Sequence, residues 1–243
     1  MEKNLNILKT KMKRVIIPWS GGVDSTYLIH KNLEEGNEVR TFSVLLNNNI
    51  SQRDREKSSR SILSKYFREK YPGKFSEDTS YNFNSIQVSS SYNMILSQPP
   101  IWILFCYYSF DLSGYDEIQI GYIMNDDAIS YLDDIRNLHS SYKPFTNYTI
   151  PELKFPLTKM KKWEIMNQLP EFIMKNVSYC EYYDEKNCAC LSCKRHNDEL
   201  KSSDWKNIKN SSDVCVKEDL IEEKYSSITN SVDCQLTFDF SEN

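Results

Sequence analysis

The sequence contains no apolar run of the roughly 18 residues that a membrane-spanning helix requires; the longest candidate, residues 101–110, has the length of a buried helix. It also has no excess of basic residues, since 30 lysines and arginines stand against 34 aspartates and glutamates and leave a net charge of −4. Non-specific binding to nucleic acid needs a broad positive field. We therefore expect no contact with membranes and no binding to duplex nucleic acid.

The start of the chain, Met1-Glu2-Lys3-Asn4-Leu5-Asn6, lacks the basic and apolar segments of a secretory signal. We therefore expect a soluble, cytoplasmic protein, in a reducing compartment where structural disulfides are rare. The sequence shows no internal repeat. Its 243 residues, 40% of them hydrophobic, predict one main domain with a sizeable core.

Two common nucleotide-binding patterns are also missing, the Walker A loop with its lysine and the G-x-G-x-x-G fingerprint. In their place, an apolar run at 14–19 leads into Ser20-Gly21-Gly22-Val23-Asp24-Ser25, and a helical pattern follows at 26–34. Adjacent glycines between a strand and a helix let a phosphate approach the backbone, where the first helical amides offer donors. Ser20 and Ser25 add hydroxyl donors, and Asp24 suits Mg²⁺ binding or fixing of the loop. The alternative is an ordinary helix-capping turn.

Periodicity predicts further strands at 38–46, 86–88 and 117–120, and helices at 51–70, 101–112 and 159–169. Strands that alternate with helices predict an α/β fold with a doubly wound, mostly parallel sheet that is covered on both faces. Ligands of such folds bind beyond the carboxyl ends of the strands. We therefore expect Ser20 and Gly121 to face one crevice.

A polar segment from Gly121 to Asp134 follows the strand predicted at 117–120. It contains Asn125 and four carboxylates, which belong to Asp126, Asp127, Asp133 and Asp134. These oxygen acceptors suit three roles: coordination of Mg²⁺, binding to the polar edge of a base, and deprotonation of an amine. The alternative is a solvated acidic loop that caps the next helix.

Four of the seven cysteines, Cys180, Cys188, Cys190 and Cys193, form a C-x7-C-x-C-x2-C pattern. Four thiolates at this spacing predict a structural zinc site, with an iron–sulfur cluster or scattered reduced thiols as the alternatives. The other cysteines, Cys106, Cys215 and Cys234, are expected to be buried or free thiols. The chain thus divides into a phosphate-binding α/β domain at 14–170, a zinc-binding region at 171–203 and a tail at 204–243.

The loop sequence Ser-Gly-Gly-Val-Asp-Ser resembles the signature of the PP-loop (N-type ATP pyrophosphatase) superfamily. The fold of that superfamily is Rossmann-like, of the adenine nucleotide alpha hydrolase type, and its members cleave ATP between the α and β phosphates to make adenylated intermediates. The resemblance implies that the pyrophosphate portion of ATP is held by Ser20, Gly21, Gly22, Asp24 and Ser25.

Several separated blocks together resemble the 7-cyano-7-deazaguanine synthases of queuosine biosynthesis. They are the loop, the segment Gly121 to Asp134, the step Phe155-Pro156-Leu157 before a lysine-rich helix, and the four cysteines. This resemblance implies an ATP-dependent ligase that adenylates 7-carboxy-7-deazaguanine and lets ammonia displace AMP to give an amide, which is then activated again to give a nitrile. It implies ATP, Mg²⁺ and Zn²⁺ as cofactors, and a homodimer. Catalysis would fall to Asp24, Asp126, Asp127 and Asp133, and substrate contacts to Gly121, Asn125, Tyr131 and Asp134.

The chain departs from that family at several points. It has Asn47-Asn48-Asn49 in place of an aromatic-Gly-Gln stretch, and Pro100-Ile101-Trp102 where the family has Arg-Asn after a proline. A second hypothesis is therefore a divergent member, antiviral or phage-encoded, that joins the activated deazaguanine to an amine of a protein or of another metabolite. Chemistry on tRNA is disfavoured because the sequence shows no basic RNA-binding domain. A non-catalytic nucleotide-binding module is the remaining alternative.

Overall fold

The computed structural model describes residues 11–45, 50–78, 81–82 and 98–178. All of these residues belong to one compact unit. The strands are β1 (Arg14–Pro18), β2 (Glu38–Phe42), β3 (Val44–Leu45), β4 (Phe75–Glu77), β5 (Tyr81–Asn82), β6 (Glu117–Gln119) and β7 (Glu152–Lys154). The α-helices are α1 (Val23–Glu34), α2 (Ile50–Lys70), α3 (Gln98–Ser109), α4 (Leu132–Ser141), α5 (Lys162–Gln168) and α6 (Glu171–Asn176). None of these helices is long and apolar enough to cross a membrane.

Five of the strands form a parallel sheet in the order β4-β2-β1-β6-β7. Parallel neighbours need crossover connections, and the helices between the strands supply them. The predicted α/β fold with a parallel sheet is therefore confirmed. The chain moves outward in one direction from β1 through β2 to β4, and then returns to the other side of β1 with β6. The gap between β1 and β6 is thus the topological switch point, where open α/β sheets bind their ligands.

The two faces of the sheet are covered by different helices. Pro18 pairs with Phe42 in the parallel register, so Phe42 and Trp19 point to opposite faces. Trp19 packs edge-on against Phe75 and tilts against Phe67 of α2, with ring centroids 5.9 and 6.2 Å apart. Phe42 packs against Trp102 of α3 at 6.1 Å. Burying side chains of this size stabilises the fold by about 1.5–3 kcal/mol each, so both faces of the sheet contribute to stability.

Helix α3 lies close to the predicted buried helix, but it begins three residues earlier, at Gln98. Prolines are tolerated in the first turn because the amides there have no partner within the helix. One side of α3 is buried through Trp102, Ile103 and Cys106, whereas Leu104 and Tyr108 are 48% and 81% exposed. Cys106 is a buried free thiol, as expected. The helix therefore covers the sheet and also presents an apolar face to solvent.

The sheet differs from the prediction at its edges. The strand predicted at 38–46 is interrupted at Ser43, and its second part, β3, pairs with β5 instead of with the main sheet. The third strand of the main sheet is β4 rather than 86–88, a segment that lies outside the described residues. Both β4 and β7 were missed because each holds a single apolar residue, whereas the equally short β6 was predicted from the alternation of Ile118 and Ile120. The helix predicted at 159–169 begins at Lys162, since the Glu164 carboxylate accepts a hydrogen bond from the Lys161 amide at 2.6 Å.

Candidate functional site

The loop from Ser20 to Ser25 lies at the carboxyl end of β1, beside the switch point. It is held by its own hydroxyls. The amide of Gly22 donates to Ser20 Oγ at 3.1 Å, and the hydroxyls of Ser20 and Ser25 lie 3.3 Å apart. Both hydroxyls therefore lie inside the loop, next to the start of α1.

Helix α1 begins directly from this loop without a capping side chain. Gly22 occupies the N-cap position in an extended conformation and makes no side-chain cap. The first amides of a helix have no carbonyl partner within the helix, and the helix dipole places partial positive charge there. An anion such as phosphate satisfies both properties, so the start of α1 suits one.

Gly21 has the conformation and surroundings that only glycine tolerates. Its φ is +90°, and a Cβ atom at this position would lie 2.6 Å from the backbone carbonyl oxygen of Glu56 in α2. The Gly21 carbonyl accepts two hydrogen bonds of 2.9 Å, from the Ser59 hydroxyl and from the Ser178 amide. The loop is therefore clamped between α2 and the segment after α6, with no space for a larger residue.

Asp24 pairs with Lys162, the first residue of α5. Lys162 Nζ lies 2.6 Å from Asp24 Oδ2, and the two side chains are 13% and 22% exposed. The other carboxylate oxygen, Asp24 Oδ1, is buried and has no hydrogen-bond partner among the described residues. A buried carboxylate oxygen needs a donor or a cation to offset its desolvation. Asp24 therefore offers one ligand atom to a hard cation such as Mg²⁺, and Lys162 adds positive charge beside the loop.

Gly121 lies against the first turn of α1. A Cβ atom at Gly121 would approach the Asp24 carbonyl carbon and the Ser25 amide nitrogen to 3.2 Å each. Such contacts are tight, so a side chain at this position would press on the loop. The structure therefore brings Gly121 and the loop together at the carboxyl ends of the neighbouring strands β6 and β1.

The acidic residues after Gly121 have separate surroundings. Asp126 is half-buried, and its Oδ1 accepts a hydrogen bond from the Ala128 amide at 3.0 Å, which caps the short 3-10 helix Asp127–Tyr131. Asp133 is 92% exposed and pairs with Arg136 at 2.7 Å. Asn125, Asp127 and Asp134 are exposed, and Tyr131 is half-buried. Among the described residues, no group of three or more His, Cys, Asp or Glu side chains is arranged to hold a metal ion.

Sequence reasoning missed Arg60 of α2 as a residue of the site. Its side chain is 3% exposed, and Nη1 donates to the Ser20 carbonyl at 2.8 Å. Burial lowers the pKa of the guanidinium, while the carboxylates of Glu56 and Glu77 raise it. No local signal distinguishes Arg60 from the other charged residues of this helix, because its contact is with a loop 40 residues away.

Lys162 and Tyr122 were missed as well. The lysine-rich stretch after Phe155-Pro156-Leu157 indicates a positively charged helix start, but no pattern in it distinguishes Lys162 from the neighbouring lysines. Tyr122 follows Gly121, and its buried hydroxyl has no hydrogen-bond partner among the described residues. Burial raises the pKa of this phenol, and the nearby Asp126 raises it further. The four cysteines predicted to bind zinc, Cys180, Cys188, Cys190 and Cys193, lie outside the described residues, as do Asn47-Asn48-Asn49.

No protein-family model matches the chain, and the comparison with curated proteins found no match. Among solved structures, the chain is similar to the U34-tRNA thiolase NcsA from Methanococcus maripaludis with its 4Fe-4S cluster. The identity is 16% and the TM-score 0.42, and the alignment covers 96% of this chain and 79% of that one. These comparisons do not identify a family for the chain.

Proposed function

We propose that the chain is an ATP-using enzyme that transfers AMP from ATP to a carboxylate substrate. The observation that carries the proposal is the phosphate loop. Its two glycines and two serines lie at the switch point and lead into the start of α1, which has no capping side chain. A Cβ on Gly21 would clash with the backbone carbonyl oxygen of Glu56. This combination leaves backbone donors for phosphate oxygens and no space for side chains.

The residues around the loop have distinct tasks in this reaction. Ser20, Gly21, Gly22 and Ser25 bind the β and γ phosphates, which leave together as pyrophosphate. Lys162 lies 2.6 Å from Asp24 and offsets negative charge that grows on the departing pyrophosphate. Asp24 Oδ1 would hold Mg²⁺, which would neutralise negative charge on the phosphates when bound.

The proposed reaction has two steps, adenylation of the carboxylate and then attack by an amine. A carboxylate oxygen of the substrate attacks the α phosphorus, the bond to the bridging oxygen breaks, and pyrophosphate leaves. An amine then attacks the carbonyl carbon of the acyl adenylate, loses a proton, and AMP leaves. Proximity and exclusion of water favour the amine over hydrolysis.

The finer proposal names 7-carboxy-7-deazaguanine as the carboxylate and ammonia as the amine, so that the first product is an amide. A second ATP then adenylates the amide oxygen with release of pyrophosphate, and loss of AMP and of the two N–H protons gives the nitrile. This proposal is supported by the resemblance of the loop, the segment Gly121 to Asp134 and the cysteine pattern to the synthases of that reaction.

A second candidate keeps the activation of the carboxylate but uses an amine of a protein or of another metabolite. Asn47-Asn48-Asn49 favours it, because this stretch replaces the aromatic-Gly-Gln sequence of the synthases. A changed stretch suits a changed acceptor, since loop segments differ between related enzymes that bind different ligands.

The test is mass spectrometry of the products after incubation of the full chain with ATP, Mg²⁺ and 7-carboxy-7-deazaguanine, with and without ammonia. We expect AMP, pyrophosphate and, with ammonia, the nitrile. AMP without nitrile would favour the second candidate. ATP-analogue binding without AMP under any condition would contradict an enzyme and leave a binding module.

Asp24→Ala is the decisive variant. We expect it to lower AMP formation by about a hundredfold or more, because it removes a buried charge that faces the phosphates. Glu171→Ala is the matched control, since Glu171 is 80% exposed and pairs with Lys175 on the same short helix, α6. Equal AMP formation by the two variants would contradict the role of Asp24.

A further inference from the structure

A polar pocket of about 370 Å³ lies between α2 and the end of β4. Its walls are α2 and the end of β4, the edge strand of the sheet. Arg60 connects the pocket to the phosphate loop, because it also donates a hydrogen bond to the Ser20 carbonyl. The lining consists of three cations, two hydroxyls and two carboxylates, which belong to Lys57, Arg60, Arg68, Ser61, Ser64, Glu77 and Asp78.

Arg60 is the buried member of this lining and is incompletely paired. One nitrogen, Nη1, donates to Ser20, but Nη2 is buried without any hydrogen-bond partner among the described residues. The nearest oxygen of Glu77 lies 3.8 Å from Nε, which is beyond hydrogen-bond length. A guanidinium that is 97% removed from solvent normally has its donors satisfied, since a buried charge without partners costs several kcal/mol.

The carboxylates of the pocket do not supply the missing partner. Asp78 is already bound by Arg40, with contacts of 3.0 Å from Nε and 2.7 Å from Nη2. Glu77 lies between Arg60 and Arg68, at 3.8 and 4.0 Å. Glu56 also lies within electrostatic reach of Arg60, but it does not line the pocket. Among the described residues, Glu77 is therefore the one lining carboxylate near Arg60 and Arg68, and it lies beyond hydrogen-bond length from both.

We propose that this pocket binds the phosphate group of a small phosphate ester, at a site separate from the phosphates held by the loop. Guanidinium groups bind phosphate oxygens through paired, charge-assisted hydrogen bonds, and Arg60 holds an unused donor in this position. Ser61 and Ser64 supply hydroxyl donors, and Lys57 and Arg68 complete the rim. The pocket is larger than a free phosphate ion needs, which leaves space for part of the esterified group.

The site goes beyond the proposed adenylation, because binding here requires no turnover. Because Arg60 also contacts the phosphate loop, binding in the pocket affects that loop. Arg60 bonded to phosphate is held more firmly in place, and Arg60 in turn holds the Ser20 carbonyl. A phosphorylated ligand in the pocket therefore steadies the loop that binds ATP.

The test is a titration of the full chain by isothermal calorimetry while a non-hydrolysable ATP analogue saturates the loop. The probes are ribose 5-phosphate and inorganic phosphate, with ribose as the control. We expect ribose 5-phosphate to bind with one site and ribose not to bind. Binding of inorganic phosphate with equal affinity would show that the phosphate group alone is recognised, and weaker binding would show that the ester contributes; both support the site. Phosphate binding that the ATP analogue abolishes would place it at the loop and overturn the proposal.

The variant that tests the lining is Lys57→Gln with Arg68→Gln, because both residues lie at the rim and neither contacts the loop in the structure. We expect it to weaken the affinity for ribose 5-phosphate about tenfold, since Lys57 and Arg68 are exposed and each rim charge contributes only modestly through water. Lys65→Gln, an exposed lysine on the same helix outside the pocket, is the matched control. Equal affinities of the two variants would overturn the proposal. ATP-analogue binding and AMP formation by the same variants separate this outcome from a failure of the proposed adenylation.

Discussion

Two glycines, Gly21 and Gly36, have left-handed backbones but different surroundings. Gly21 has φ +90° and Gly36 has φ +81°, so a side chain strains the backbone at either position. A Cβ at Gly36 would meet nothing within 4 Å, whereas at Gly21 it would lie 2.6 Å from the Glu56 carbonyl oxygen. Comparison of the two positions separates backbone strain from the steric clash with α2.

We expect Gly36→Ala to lower the free energy of unfolding by about 1–2 kcal/mol, from backbone strain alone. Gly21→Ala should cost about 1–3 kcal/mol more, because the clashing atom belongs to the backbone of a helix and is not free to rotate away. Urea denaturation of both variants measures the difference. Equal losses of stability would mean that α2 moves away without cost.

The capping role of Asp126 makes a second prediction. Asparagine caps a helix about as well as aspartate does, while alanine does not. We therefore expect Asp126→Ala to lower the free energy of unfolding by about 1 kcal/mol and Asp126→Asn to leave it nearly unchanged.

Thermal or urea unfolding checks the stability of the two variants, and equal stabilities would contradict the cap. Activity of the stable Asp126→Asn variant then separates a catalytic carboxylate from a capping one. Loss of AMP formation in that variant would assign the charge of Asp126 to the reaction.

At the level of strands, β6 is tied to its neighbours by one buried carboxylate. Glu117 opens this strand and is 5% exposed. Its Oε1 accepts hydrogen bonds from Lys13 at 2.7 Å and from Lys154 of β7 at 2.9 Å. Gln119 donates to the other oxygen at 2.8 Å. The strand on the far side of the switch point is therefore positioned by charge as well as by the backbone ladder.

These contacts predict how stability changes with pH. Burial alone raises the pKa of Glu117, but the hydrogen bonds from Lys13, Lys154 and Gln119 outweigh it and lower the pKa from 4.5 to about 2. A lowered pKa means that the stabilisation is present above the unfolded value and is lost as the pH falls from about 4.5 to about 2. We expect this group to contribute up to about 3 kcal/mol at neutral pH.

The measurement is the free energy of unfolding between pH 2 and pH 6, for the unmodified chain and for Glu117→Gln. The variant should show a flatter pH dependence in this range, because its side chain does not titrate. Glu152→Gln is the control, since Glu152 is 68% exposed and also pairs with Lys154. A pH dependence unchanged by Glu117→Gln would show that other carboxylates control acid unfolding.

For the molecule as a whole, the metal content decides between the alternatives for the cysteine pattern. We predict about one zinc ion per chain, because four thiolates make a closed tetrahedral site. Elemental analysis of the purified chain checks this, and Cys188→Ser should remove the zinc. Cys106→Ala is the control, since Cys106 is a buried free thiol. A brown protein with iron would favour a cluster, and absence of both metals would contradict a metal site.

The local parts of the fold and of the site were determined by the sequence itself. The strand, the glycine loop and the helix from residue 14 to residue 34 follow from an apolar run, two adjacent glycines and a helical period, all of which act on near neighbours. The helix α2 and the strand β6 were predictable for the same reason, because each shows its own period of apolar residues.

Only the tertiary structure decided which distant residues complete the loop. Lys162 reaches Asp24 across 138 positions of the chain, and Arg60 reaches the Ser20 carbonyl across 40. Such pairs depend on the order of the strands, and that order depends on β4 and β7, which hold one apolar residue each and so show no alternating pattern. The sequence therefore determined where the glycine loop lies, because its conformation depends on local backbone geometry, whereas packing of the sheet and helices decided which charged side chains lie beside the loop.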